Sequence, residues 1–203
     1  MKRTQLGRSD LQVSTVCLGT MTFGEQNTEL DAHRQLDYAV ERGINFIDTA
    51  EMYPVMGRAE TQGATERFIG SWLKARGRRD ELVIASKIAG PNASMGWIRG
   101  PARNLDAANI RAAVETSLQR LQTDYIDLYQ IHWPSRNLPI FGANSFNPKR
   151  ERSSVPIEET LGALGELVTA GKIRAIGVSN ESSWGVCEYV KQAEMHGLPR
   201  IAR

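Results

Sequence analysis

Asp48, Tyr53, Lys87 and His132 are four ionisable residues standing where short apolar runs stop. The runs are Ile44-Asn45-Phe46-Ile47-Asp48, Leu82-Val83-Ile84-Ala85-Ser86-Lys87 and Tyr125-Ile126-Asp127-Leu128-Tyr129-Gln130-Ile131-His132, with Tyr53 just beyond the first. Strands that alternate with helices run parallel, so their C-terminal ends share one face of the sheet. A tyrosine has an ordinary pKa of about 10, and acid or base work near neutrality requires a neighbour that favours its anion. Lys87 could supply that charge, with Asp48 orienting the lysine and keeping it protonated. His132 would then be a hydrogen-bond donor aimed at a substrate oxygen. Acid-assisted reduction of a carbonyl fits this set. No serine or cysteine sits in a triad arrangement, and His33, His132 and His196 are too scattered to form a metal site. Singly, each residue has an ordinary reading: a helix cap, a solvated lysine, a satisfied histidine, turn packing at Tyr53-Pro54. Their joint placement on successive strand ends favours chemistry.

The elements that would position them alternate regularly. Thr4 to Val13 reads as a hairpin around the turn Gly7-Arg8-Ser9-Asp10. A first strand, Val16 to Gly19, precedes a helix from about Glu29 to Arg42, with Leu30, Leu36, Tyr38, Ala39 and Val40 as its apolar face and Gly43 as its stop. Further helices are expected over about Ala64 to Ala75, from the N-cap Asp106, over about Pro156 to Ala170, and up to about His196. Strands end at Asp48, Lys87, His132 and Val178, and Leu198 to Arg203 looks like the approach to another. Five β-then-α units imply a parallel sheet covered by helices, either doubly wound or a (β/α) barrel. The turn Gly19-Thr20-Met21-Thr22-Phe23-Gly24 lacks the dinucleotide fingerprint, and functional residues spread over several strand ends suit a (β/α)8 TIM barrel. Such a barrel has eight units in about 250 residues, so residues 1–203 are read as one barrel domain that is incomplete, lacking its C-terminal part. Two long connections on the functional face, about Ile88 to Leu105 and Trp133 to Val155, are candidate pocket walls, with plain decoration as the alternative.

Composition narrows the class. With 41% hydrophobic and 24% charged residues and a net charge of +2, the chain is an ordinary globular protein without the basic excess of a nucleic-acid binder. Arg76, Arg78 and Arg79 read as a solvated helix end, and Cys17 and Cys187 as packing residues in a reducing, cytoplasmic setting, Cys187 partly exposed. No run of about 18 apolar residues suggests a membrane span or a leader.

Four segments together resemble the aldo-keto reductase family: Gly43 to Tyr53, Ile84 to Lys87, Gln130 to Pro134 and Gly171 to Asn180. Leu18 to Asn27 and Ala50 to Pro54 are similar above all to its Tas-type bacterial branch. The resemblance implies a barrel that binds NADPH across its strand ends and transfers hydride to a small-molecule carbonyl substrate. Carried over, Tyr53 is the proton donor, Asp48 and Lys87 tune it, and His132 orients the carbonyl. Gly19, Thr20, Met21, Asp48, Ser179 and Asn180 then hold the nicotinamide end of the cofactor, and Trp133 lines the substrate pocket with Tyr53 and His132. Local sequence alone also allows Ser179-Asn180 to be a helix N-cap. In this family later strands grip the rest of NADPH, so residues 1–203 alone are expected to bind it weakly or not at all. Alternative readings are a regulatory binding module resembling potassium-channel β subunits, and an inactive truncated fragment. Unpaired strand edges also invite a homo-oligomer.

Overall fold

The computed structural model describes residues 1–101 and 103–202; Ala102, within the first long connection, and Arg203, at the end of the expected final strand, lie outside the described residues. The chain begins with an antiparallel hairpin, β1 (Arg3–Gln5) and β2 (Gln12–Ser14). Five parallel strands follow: β3 (Cys17–Gly19), β4 (Phe46–Asp48), β5 (Val83–Ile88), β6 (Ile126–Ile131) and β7 (Ile173–Val178). Between and after them come α1 (Glu29–Glu41), α2 (Ala64–Arg76), α3 (Ala107–Leu121), α4 (Ile157–Thr169) and α5 (Ser183–His196). Strand order in the sheet equals chain order, with no reversal. A doubly wound sheet reverses at its switch point, so this is a continuous arc of a barrel wall. Beyond α5, Ile201 bridges Ile176 in parallel, the first contact of the expected further strand on β7.

The sheet is layered because strand residues alternate between faces. Ile47, Ile84, Tyr129 and Ile176 join the main core with helix residues such as Leu36, Ile69, Trp72, Val114 and Leu161. On the opposite face Phe46, Val83, Ala85, Leu128 and Ala175 pack against Leu6, Leu11 and Val13 of the hairpin. The hairpin therefore plugs the end of the arc remote from the strand C-termini. Burial of an aliphatic side chain is worth about 1.5–3 kcal/mol, so three of them suffice to keep it docked. Polar contacts fix its register: Ser14 N–H donates to Asn45 Oδ1 at 2.7 Å, and Asn45 Nδ2 donates to the Gln12 carbonyl at 2.9 Å.

The helices start where side chains satisfy their first N–H groups. Thr28 and Asp31 close a capping box on α1, Asp106 accepts from Asn109 N at α3, and Ser182 accepts from Gly185 N at α5. The cap of α5 is thus Ser182, and Ser179-Asn180 are left outside the helix. Gly43 follows α1 at φ +85°, a left-handed conformation that glycine adopts without strain.

Several expectations are corrected. Leu30 and Tyr38 are 60% and 59% exposed; only Ala32, Leu36 and Ala39 of α1 are buried. Among the described residues α1 packs chiefly against α2, and its other flank is uncovered. Cys17 and Cys187 are both exposed, Cys17 because β3 pairs with β4 alone. Arg79 is no solvated helix end: it stacks 4.2 Å from the Tyr125 ring centroid and pairs at 2.6 Å with the fully buried Asp127, which also binds Arg174 at 3.0 Å.

Candidate active site

Above the apolar layer, on the same inward face, the side chains turn polar. Register places Gly19 beside Asp48, Asp48 beside Ala85, and Lys87 beside Gln130. Residues two apart on a strand share a face, so Phe46 and Asp48, Ala85 and Lys87, and Leu128, Gln130 and His132 each run from the apolar layer to the strand end. The sequence thus puts Asp48, Lys87 and His132 on one surface.

Lys87 Nζ donates to Asp48 Oδ2 at 2.5 Å and to the Thr49 carbonyl at 2.8 Å, with the lysine side chain 7% exposed. The second carboxylate oxygen of Asp48 accepts from Gln130 Nε2 at 3.1 Å. Tyr53 lies over this pair, its ring centroid 4.9 Å from Lys87 Nζ, and meets the His132 ring edge-on at 5.5 Å. Trp133 stacks beside His132 at 5.0 Å and donates its indole N–H to the Pro91 carbonyl at 3.2 Å. The structure therefore brings all four predicted residues into one cluster, with Trp133 at its flank.

The electrostatics differ from the sequence expectation at one point. The Tyr53 hydroxyl is not drawn down by Lys87; burial, and then the Asp48 carboxylate, push it up to about 12. The ammonium is already committed to Asp48, so it does not offset the desolvation of the phenol. Burial, and then the Lys87 charge, push His132 down to about 3, so its imidazole is neutral at pH 7. Its Nδ1 is buried without a hydrogen-bond partner among the described residues.

The residues expected at the cofactor lie around the same rim. Among the described residues, none beyond its chain neighbours comes within 4 Å of where a Cβ on Gly19 would sit, and Met21 is 50% exposed. Thr20 is fully buried, its hydroxyl donating to the Asp48 carbonyl at 2.8 Å. Across the arc, Asn180 takes φ +51° and donates from Nδ2 to the His132 carbonyl at 2.8 Å, while Ser179 N–H donates to the Ile131 carbonyl. Ser179 and Asn180 are therefore tied to the end of β6.

Sequence reasoning missed Gln130, the third partner of the Asp48–Lys87 pair. Its signal was parity with His132 inside an otherwise apolar strand. It also missed what orders the first long connection. Arg103, 5% exposed, donates to the carbonyls of Gly90 and Ile98 at 3.0 and 3.2 Å and to those of Met95 and Asn92. Ile98 is buried with Tyr53 and Trp133 in one cluster, so this connection packs against the site. In the second connection Phe141 meets the Trp133 ring edge-on at 5.5 Å while remaining 66% exposed, and Phe146 is 54% exposed. No helix among the described residues is long and apolar enough to cross a membrane.

A model of the aldo/keto reductase family matches residues 15–201. The chain is 53% identical to protein tas of Escherichia coli over 99% of its own length and 58% of that protein. It is 37% identical to the uncharacterized oxidoreductase YrpG of Bacillus subtilis, over 96% of the chain and 54% of that protein. Among solved structures it superposes on the holo form of aldo-keto reductase AKR11C1 from Bacillus halodurans with a TM-score of 0.71 and 37% identity, over 95% of the chain and 54% of that one. The chain thus spans a little over half the length of these relatives.

Proposed function

This chain belongs to the aldo/keto reductase family, and we propose from that premise that the protein carrying it reduces aldehydes and ketones to alcohols with NADPH. The single observation that supports this most is the edge-on seating of the Tyr53 phenol against His132 with the Lys87 ammonium 4.9 Å from its ring. An NADPH nicotinamide, when bound, supplies hydride to the carbonyl carbon. The residues present suit such a group: room beside Gly19, the exposed Met21, the rim residues Ser179 and Asn180, and a buried His132 Nδ1 without a hydrogen-bond partner among the described residues. Gly19, Thr20, Met21, Asp48, Ser179 and Asn180 would hold it, Thr20 from beneath through its bond to the Asp48 carbonyl.

The chain's own residues then have distinct tasks. A phenol pushed up to about 12 is fully protonated at neutral pH, so Tyr53 arrives carrying the proton that the reduced oxygen needs. An alkoxide is a far stronger base than phenolate, so that transfer runs downhill. Neutral His132 donates a hydrogen bond toward the substrate oxygen and adds no competing charge. Lys87 lies close enough to stabilise the phenolate left on Tyr53, and Asp48 and Gln130 fix its direction. Trp133 forms the wall against which the carbonyl substrate rests. A cytoplasmic setting belongs to the same reading, since two exposed cysteines stay reduced there. That its relatives include a reductase and an oxidoreductase favours an enzyme over a binding module.

NADPH consumption with a panel of aldehydes tests the proposal. Tyr53→Phe is expected to lose about 100-fold or more in turnover with an unchanged circular-dichroism spectrum. Undiminished turnover in that variant refutes the assignment of the acid.

A further inference from the structure

Behind the site lies a buried ion pair to which the chemistry above gives no task. Glu51 and Arg99 have side chains 2% and 10% exposed, and Arg99 Nη2 meets Glu51 Oε1 at 2.8 Å. The pair is unusually complete. Glu51 Oε1 also accepts from Ala89 N–H at 2.6 Å, and Arg99 Nε donates to Glu51 Oε2 at 3.1 Å. The remaining guanidinium N–H groups reach the Ala89 carbonyl at 2.8 Å, the Asn104 carbonyl at 3.4 Å and Asn109 Oδ1, on the first turn of α3, at 2.5 Å.

We propose that Glu51 and Arg99 are positioning residues for carbonyl reduction, an inference that rests on the role assigned to Tyr53. The argument follows the chain. Glu51 lies midway between Asp48 and Tyr53. Its N–H donates to the Lys87 carbonyl at 3.1 Å, and its carboxylate takes the N–H of Ala89, two residues further along. Glu51 therefore continues the β4–β5 pairing past the strand ends, main chain first and side chain second. This pins the segment that delivers Tyr53, whose own N–H closes a turn onto the Ala50 carbonyl at 3.1 Å. On the far side Ala89 leads to Gly90 and Pro91. A Cβ on Gly90 would fall 2.4 Å from the Trp133 carbonyl oxygen, and the Pro91 carbonyl accepts the Trp133 indole. One carboxylate and one guanidinium thus set the spacing between the Tyr53 segment and the Trp133 and His132 wall. Arg99 itself holds φ +53°, a backbone conformation uncommon for a residue with a side chain, and its fivefold hydrogen bonding keeps it there. Small displacements of an acid relative to its hydrogen-bonding partner cost turnover more than binding.

The test separates positioning from stability. In the protein carrying this chain, Arg99→Met alone leaves a buried carboxylate without its cation, whereas Glu51→Leu with Arg99→Met leaves no buried charge unpaired. The single variant is expected to lose both melting temperature and kcat. The double variant is expected to regain most of the melting temperature while kcat stays down about tenfold and KM for NADPH stays within about twofold. Arg99→Lys, which keeps the charge but not the fork, should show the same split between kcat and KM. Recovery of kcat together with stability in the double variant overturns the proposal, and so does parental kcat in Arg99→Lys. Hydrogen exchange over residues 49–53 is expected to quicken in the double variant. A parent protein without any carbonyl turnover overturns the reductase reading instead. The clamp is then judged by that exchange alone, and unchanged exchange sinks it.

Discussion

Acid should destabilise this fold through His132 more than through any ordinary histidine. The ring is 7% exposed and its pKa is pushed down to about 3, first by burial and then by Lys87. In the unfolded chain a histidine titrates near 6.5. Between those values the unfolded state binds a proton that the folded state refuses, so stability rises with pH across that window and falls on acidification. The slope is about 1.4 kcal/mol per pH unit once the pH is well below 6.5 and half that at 6.5, which makes the loss between pH 7.5 and 5.0 about 2 kcal/mol from this one residue. Urea unfolding of the parent and of His132→Asn at intervals from pH 7.5 to 5.0 isolates it. The carboxylates, His33 and His196 are common to both proteins and cancel in the difference. The parent should lose about 2 kcal/mol relative to the variant, and Lys87→Met should keep most of the slope because burial is the larger cause. A difference that stays flat across the range would mean that His132 protonates normally in the folded protein. The burial that is argued to hold the ring neutral would then be wrong.

Three substitutions compare buried with exposed charges. Lys87→Met strands the Asp48 carboxylate with Gln130 as its remaining partner; because Asp48 keeps 26% exposure, the expected cost is near the low end of about 3–5 kcal/mol, read by denaturant unfolding, with turnover abolished in the NADPH assay. Arg79→Ala leaves the fully buried Asp127 with Arg174 and should cost about 3 kcal/mol or more, whereas Arg78→Ala, at a side chain 72% exposed, should stay within about 0.5 kcal/mol; equal effects in urea melts would contradict the buried placement of Arg79.

That Arg78 and Arg79 diverge shows where sequence reading runs out. Both belong to one basic cluster after α2, and nothing local marks Arg79 as the residue that crosses to Asp127, 48 positions away. The strand ends were legible for the opposite reason. Alternation is local, so a polar residue two places after an apolar inward-facing one must share its face. Asp48, Lys87 and His132 could be grouped without knowing a single contact. Gln130 obeyed the same parity, but a glutamine within a strand carries no chemical mark of its own. The pair Glu51–Arg99 joins residues 48 apart through a connection with no regular periodicity. Helical periodicity named the face of α1 but not what covers it. Leu36 is fully buried under α2 and the sheet, while Leu30 and Tyr38 point to an uncovered flank.

The pKa of Tyr53 shows the same limit in electrostatic form. From sequence, a lysine near a tyrosine argues for a lowered pKa, because each charge is counted alone. In the fold Lys87 is bound to Asp48 at 2.5 Å and the phenol is buried beside both, so desolvation outweighs the attraction. The result suits the direction of the proposed chemistry. An acid that must hold its proton until an alkoxide forms gains nothing from ionising early, and the apolar layer beneath it, closed by Leu6, Leu11 and Val13 of the hairpin, is what keeps water from the pair on that side. The hairpin therefore contributes to the site without reaching it. A one-residue slip of the strands would turn Asp48, Lys87 and Gln130 outward together, and the apolar packing of Phe46, Val83, Ala85 and Leu128 against the hairpin is the interaction that forbids the slip.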